Sequence, residues 1–359
     1  MGPPLGSVMA ARVKALETLA GGRVGAVSSL EDLLELARNQ AANVVGFAEH
    51  ECAIAPSTSA ALMSVAFALP SQGDVIVPVG EFPANVVPWL RASARGGPTI
   101  TRASRAPDGS IGADQIARAL TTNTIAVTVS AVDYATGWRA PLSEIRDVIG
   151  PHRLLVVDAI QGLGICDLQL HAADVVVAGG QKWLRAGQGA AVFAVRDHVV
   201  DRLQSALGGW PSMPELAPDA TVVSASLGRG PERLLPSNVD LEAAAGLHAA
   251  LSALDAVGPA GVHLRQQQVV QSVLETLATF DADVIGAKWG LEQRGPVVSF
   301  TLPGIDSERV RRELAEQGVT VSVRHDRVRI SAHLSFGDES RALIVEALSR
   351  VMSRGEAFP

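Results

Sequence analysis

The chain has 359 residues, of which 47% are hydrophobic and 19% charged, the balance of a folded globular protein with room for one large domain and a smaller one. Its formal net charge is -7 and it has no block of lysine or arginine, so neither nucleic acid nor an anionic membrane is expected as a partner. The two cysteines, Cys52 and Cys166, sit in apolar surroundings and read as buried thiols of a reducing, cytoplasmic setting, not as a disulfide framework. Met1-Gly-Pro-Pro-Leu-Gly-Ser lacks the regions of a secretory signal, and the most apolar stretch, 60–69, is too short to span a bilayer.

Taken in chain order, a strand ending at Ile54-Ala-Pro is followed by a helix over 60–69. Valine- and isoleucine-rich runs come next at 74–79, 125–130, 154–159, 174–178 and 190–195. Apolar on both faces and alternating with helical patterns, they predict a parallel sheet covered by helices on both sides. Chemistry in such a sheet belongs at the carboxyl ends of the strands. The stretch 208–236, scattered with proline and glycine, reads as an irregular crossing. Beyond it come helical patterns at 241–257 and 262–280 and a strand at 297–302. A helix then runs from Asp306 or Ser307, either of which can cap it, to the stop at Gly318. Strands at 319–324 and 327–333 flank His325-Asp326, and a last helix covers 339–352. The pattern predicts a large α/β domain over 1–235 and a smaller α+β domain over 236–359.

The central constellation is Val156-Val-Asp158-Ala-Ile-Gln161, followed 24 residues after Asp158 by Lys182 in Ala178-Gly-Gly-Gln-Lys182-Trp183. Neighbouring parallel strands would bring both to one edge of the sheet. Alone, the aspartate would be a helix cap and the lysine a solvated surface group. As an ordered set after two core strands, with Gly179-Gly180 opening space, they match what pyridoxal 5′-phosphate (PLP) requires. A lysine must form a Schiff base with its aldehyde, a carboxylate must keep its ring nitrogen protonated, and a donor such as Gln161 must meet its ring oxygen.

Other residues could complete such a site. Ser57-Thr58-Ser59 opens the helix 60–69, where free amides and the helix dipole favour a phosphate; taken alone, such a turn is more often an ordinary N-cap, and it becomes a phosphate site only in company with Lys182. Phe82 could stack on a flat ring or fill the core. Arg329, on the strand 327–333, could clamp a substrate carboxylate or lie in solvent. Thr136-Gly137 should anchor the loop that leaves strand 125–130. The fragments Gly162-Leu-Gly164 and Gly187-Gln-Gly189 fail the dinucleotide fingerprint. No Walker sequence, nucleophile elbow or zinc-spaced Cys/His cluster occurs, so no metal is expected.

With Asp158-x-x-Gln161 and Gly180-x-Lys182, Ser57-Thr58, Glu81-x-x-Ala-Asn85-x-x-Pro88-Trp89 and Arg329-Ile-Ser331, the chain resembles the class V aminotransferase superfamily of PLP enzymes. That group includes cysteine desulfurases, kynureninases and the C–S lyase of ergothioneine synthesis. The resemblance covers almost the whole chain and implies the fold type I architecture of PLP-dependent transferases. It implies that Lys182 carries the cofactor, Asp158 pairs with the ring nitrogen and Gln161 meets the ring oxygen. Phe82 takes the stacking place where desulfurases carry histidine, and Ser57, Thr58 and Gln181 lie at the phosphate. Arg329 and Asn85 line the substrate site. It further implies a homodimer with shared active sites, Ser237 or Asn238 reaching the partner's phosphate.

The chain departs from that pattern in four places. Gly179 replaces a phosphate-binding serine and Gln181 a histidine, the loop 131–137 is longer than in desulfurases, and the loop 324–327 lacks the desulfurase cysteine. Of the family's first strand only its trailing end is recognisable, at Gly2-Pro-Pro-Leu. The expected activity is C–S cleavage of a cysteine conjugate by β-elimination, without a cysteine nucleophile. The same residues also allow transamination or epimerisation of a small amino acid, or a binding protein whose catalysis is impaired.

Overall fold

The computed structural model describes residues 2–213 and 227–355; part of the crossing expected at 208–236 lies outside the described residues. The larger sheet has seven strands: β1 (Cys52–Ala55), β2 (Asp74–Pro78), β3 (Thr99–Ala103), β4 (Thr124–Ser130), β5 (Leu154–Asp158), β6 (Val175–Gly179) and β7 (Ala191–Val195). They lie in the order β1-β7-β6-β5-β4-β2-β3. From β3 across to β6 every pairing is parallel. β7 departs from the expected parallel sheet, pairing antiparallel with both β6 and β1. The connection explains this: only residues 180–190 separate β6 from β7, and a parallel crossover needs about a dozen residues or more, usually with a helix.

Along the central strands successive side chains enter different cores. Leu155 and Val157 join Val176, Ala178, Val192 and Ala194 on one face. Leu154 and Val156 join Val175, Val177, Ala191 and Phe193 on the other. Both faces are covered, which is why these strands read as unbroken apolar runs. Each valine, leucine or phenylalanine among them contributes about 1.5–3 kcal/mol on burial, so the sheet is a rigid base for whatever its carboxyl edge holds. At that edge Ser130 is paired with Asp158, and Asp158 with Val177.

The smaller sheet is wholly antiparallel, in the order β10-β11-β9-β8. Its strands are β8 (Asp283–Val284), β9 (Val297–Thr301), β10 (Ser322–Arg324) and β11 (Arg327–Ser331). Asp306 caps the helix Ser307–Glu316, its side chain accepting from Arg309 N. His325 and Asp326 have φ of 49° and 58°, the left-handed pair that a two-residue hairpin turn needs.

The two cores divide later in the chain than residue 236. The helix Leu241–Val257 places Ala243, Ala244, Leu247, Ala250 and Leu251 in a core of the large sheet, and Val262 belongs there too. The small core gathers Val269, Val270, Val273 and Leu277 together with Phe300, Val328 and Leu348. The helix Pro259–Ala278 therefore spans both cores. The N-terminal helices Gly6–Ala20 and Ala26–Val45 pack on Leu241–Val257. That contact supplies the apolar face which holds this helix to the large body. Among the described residues no helix is long and apolar enough to cross a membrane.

Candidate active site

Asp158 ends β5 and is 2% exposed. Its Oδ1 accepts from Ile160 N at 3.0 Å, and among the described residues no donor is assigned to its other oxygen. Burial pushes the carboxyl up to about 6, against the pull of that amide and of the Lys182 charge. Lys182 lies on the return from β6 to β7. Burial lowers its amine below the usual lysine range, while Asp158 opposes the shift and Arg329 adds to it. The Phe82 ring lies 5.4 Å from Lys182 Nζ, and its edge meets Tyr134 with centroids 5.2 Å apart.

The return loop is tied down on several sides. Gly180 N donates to Ala190 O and Ala186 N to Gly180 O. The chain start lies beside it: Gly2 N donates to Gln181 O, and Arg185 Nε to Pro3 O at 2.7 Å. Trp183 Nε1 donates to Gln161 Oε1 at 3.2 Å, which orients that amide and leaves its NH₂ free to donate to a ligand. Thr58 Oγ1 accepts from Gly179 N at 2.9 Å, keeping its O–H proton for a ligand, while Ser57 Oγ caps its helix through Ala60 N. A Cβ on Gly179 would lie 2.3 Å from Gln181 Oε1 and 2.9 Å from Thr58 Oγ1. The Gln181 amide thus lies against the place a side chain at 179 would start, and its flexible end would have to move to admit one.

A polar frame holds the loop that follows β4. Glu81, 6% exposed, accepts from Ser130 N at 2.9 Å and from Ser130 Oγ at 2.5 Å; burial raises its carboxyl above the usual range. Asp133 Oδ1 accepts from Ala135 N, Thr136 N and Thr136 Oγ1, and its Oδ2 from Arg105 Nη2 at 2.6 Å. Gly137 has φ 79°, and a Cβ there would lie 2.0 Å from Val297 O, so the loop is pressed directly against β9.

The small domain supplies the roof. Arg329 stands opposite Ser322 and Ser299 in its sheet. Its Nη1 is 3.5 Å from Ser322 Oγ, and its Nε is buried without a partner. Ser299 Oγ donates to Ala135 O at 2.5 Å, which places this sheet face over the loop after β4. Tyr134 Oη and His325 Nε2 lie 3.2 Å apart, and the Trp183 and His333 rings stack at 6.3 Å.

The model of the family "Aminotransferase class-V" matches residues 12–336. The chain belongs to the aminotransferase class-V family. This is a family of PLP-dependent enzymes. A probable cysteine desulfurase 2 of Mycobacterium leprae is 30% identical over 260 residues, 70% of this chain, and the chain spans only 60% of that relative's length. Among solved structures, the apo cysteine desulfurase of Thermococcus onnurineus NA1 has a TM-score of 0.86 at 20% identity, covering 98% of this chain and 93% of that one. The cystine C–S lyase C-DES, in complex with its product cysteine persulfide, has a TM-score of 0.86 at 19% identity, covering 96% and 94%. The fold expected of the family is thus the fold found.

The class-V chain brings together Lys182, Asp158, Phe82 and Arg329, with Gln161, Thr58 and Gln181 attached through Trp183 and Gly179. Asn85 is not among them. Expected to line the substrate site, it is 0% exposed, its Oδ1 accepting from Thr128 Oγ1 at 2.6 Å and from Trp89 Nε1 at 3.4 Å. These bonds hold the segment after β2 to the core, while its Nδ2 is buried without a partner. Ser237 and Asn238 are exposed and line a small cleft with Arg38 and Glu232, joined to the Lys182 group by no contact within one chain. Sequence reasoning missed Arg105, the pairing of Glu81 with Ser130, and the roof contacts of Tyr134, His325 and His333. Position after a strand's carboxyl end could have flagged Tyr134. The hairpin tip could be found only through its tertiary partner. Among the described residues no cluster of three His, Cys, Asp or Glu is placed to hold a metal.

Proposed function

We propose that the chain is a PLP-dependent lyase that cleaves the C–S bond of a cysteine conjugate by β-elimination. The residues fit the cofactor on the chain's own geometry: a buried carboxylate with one oxygen lacking a donor lies beside a buried amine, and a guanidinium nitrogen is buried unpaired above them. In this reading Lys182 holds PLP, Asp158 meets its ring nitrogen, Gln161 its ring oxygen, and Phe82 covers its face. The helix start at Ser57-Thr58, with Gln181, receives the phosphate. Bound there, PLP supplies an electron sink for the bonds at a substrate's Cα.

The protein groups do the rest. Arg329, with its unpaired Nε, holds the α-carboxylate and so fixes which Cα bond faces the cofactor. The Lys182 amine, its pKa lowered by burial, takes the proton from Cα. The bond between Cβ and sulfur breaks with its electron pair going to sulfur. Overall, the conjugate and one water give a thiol, pyruvate and ammonium.

The observation that carries the choice of elimination over persulfide formation is the position of the two thiols. The turn 324–327 that faces the site contains no cysteine. Cys52 and Cys166 lie elsewhere, and burial pushes both thiols up to about 12, where neither supplies a thiolate. In the same reading two copies pair, the exposed Ser237 and Asn238 of one reaching the Ser57-Thr58 turn of the other. The test is pyruvate release from S-substituted cysteines by the PLP-loaded protein. Turnover is expected, with Lys182→Ala lowering it by about a thousand-fold or more. A keto acid formed only when a second amino acid is supplied would replace the lyase reading with transamination.

A further inference from the structure

Above Lys182 the roof carries more positive charge than an amino acid's own carboxylate can use. The β10–β11 register sets Ser322 opposite Arg329, so Arg324, two residues beyond Ser322, shares their face. That face meets the loop after β4, through Ser299 Oγ and Ala135 O. Arg324 is exposed, and among the described residues its side chain makes one hydrogen bond, at 2.7 Å to Val323 O of its own strand. Its neighbour His325 is held at 3.2 Å by Tyr134 Oη, which pins the turn over the site. The charge of Arg324 reaches both Arg329 and the Tyr134 hydroxyl.

The nearby carboxylates are committed elsewhere. Asp133 pairs with Arg105 at 2.6 Å and Asp283 with Arg327 at 2.9 Å. Glu81 is held by Ser130, and Asp158 lies at the floor. Among the described residues no carboxylate pairs with Arg324 or Arg329, although the Asp133 charge also reaches Arg329; Arg327, opposite Arg324 on the same face, already has Asp283 as its partner. One α-carboxylate satisfies Arg329 and leaves Arg324 open at the side-chain end of the site.

We propose that the substrate's side chain ends in an anion, a carboxylate or sulfur oxyanion, which Arg324 receives while Arg329 holds the α-carboxylate. This rests on the lyase reading for the reaction but not for the binding. The charge and planar fork of a guanidinium favour such an oxyanion over a neutral isostere.

S-carboxymethyl-L-cysteine and S-carbamoylmethyl-L-cysteine differ by one charge at nearly constant shape. With the PLP-loaded protein, Kd by calorimetry and kcat/KM by pyruvate release should favour the carboxymethyl conjugate by roughly ten-fold. Arg324→Gln should collapse that ratio towards one, whereas Arg327→Gln, whose native partner is Asp283, should keep it. L-cysteine sulfinate then separates a sulfur oxyanion from a carboxylate preference. A wild-type ratio near one, or a ratio that Arg324→Gln does not move, overturns the proposal. A binding preference without pyruvate from either conjugate would instead remove the lyase reading and leave the anion subsite standing. Pyruvate from both with equal Kd would do the reverse.

Discussion

The floor and the roof of the site are built by different means. Asp158 sits in register between Ser130 and Val177, on a strand whose side chains enter two cores. The roof is the small sheet, whose β10–β11 hairpin turns in two residues; it meets the large body through Ser299 and Ala135, His325 and Tyr134, and the stacked rings of His333 and Trp183. The contrast has a physical basis. A carboxyl raised to about 6 needs burial, and a strand covered on both faces supplies it. Groups that select a substrate need access to solvent, and a short turn can change its side chains without disturbing a core. On the proposed reading, reaction chemistry lies in the rigid half and selectivity in the thin one.

Removing the floor's charge should give the largest effect, and of an unusual sign. Asp158 has a folded pKa raised from 3.8 to about 6, so the folded apoprotein binds this proton more tightly than the unfolded chain. Its stability thus falls as pH rises through that window and stays low above it. Two pKa units correspond to about 3 kcal/mol. Asp158→Asn should make the apoprotein more stable by up to that amount at pH 8, with the gain vanishing below about pH 4, while lyase turnover is lost. Denaturant unfolding at the two pH values reads this. An equal gain at both would show that burial of the ionised carboxylate is not the floor's cost.

At the roof, Arg329→Lys should raise KM by about ten- to a hundred-fold, with a smaller change in kcat, because an ammonium cannot reproduce a two-pronged carboxylate contact. An unchanged KM would move the carboxylate site elsewhere. The smallest effect belongs to Tyr134→Phe, which deletes one hydrogen bond worth about 1 kcal/mol. Hydrogen exchange should quicken by roughly five-fold in β10 and β11 and stay unchanged in β5. Equal quickening in both would erase the distinction between a rigid floor and a loosely held roof.

Much of this floor was legible in the sequence. Asp158 and Lys182 each follow an apolar run, and spacing alone sets both at one sheet edge. The direction of β7 was legible in principle too, since residues 180–190 are too short for a crossover helix. Other residues misled. Asn85 has the family's pattern around it, but nothing in that pattern showed that its Oδ1 is spent on Thr128 and Trp89 in the core. The boundary expected at 236 fails because an alanine-rich helix does not announce which of two cores it will join. Gly179 and Gln181 read as separate departures, and only the packing showed that their side-chain positions adjoin.

What the sequence by itself determined, then, is the local part: strand and helix periods, the cap at Asp306, the turn at His325-Asp326, and the ordered set of Asp158, Gln161 and Lys182. Each depends on neighbours a few residues away. Only the tertiary structure decided that Tyr134 meets His325, 191 residues along the chain, and that the Arg329 charge reaches Lys182 from the small sheet. Such pairings arise when two separately buried cores dock. Their geometry depends on how whole sheets pack, which no short-range pattern of residues encodes.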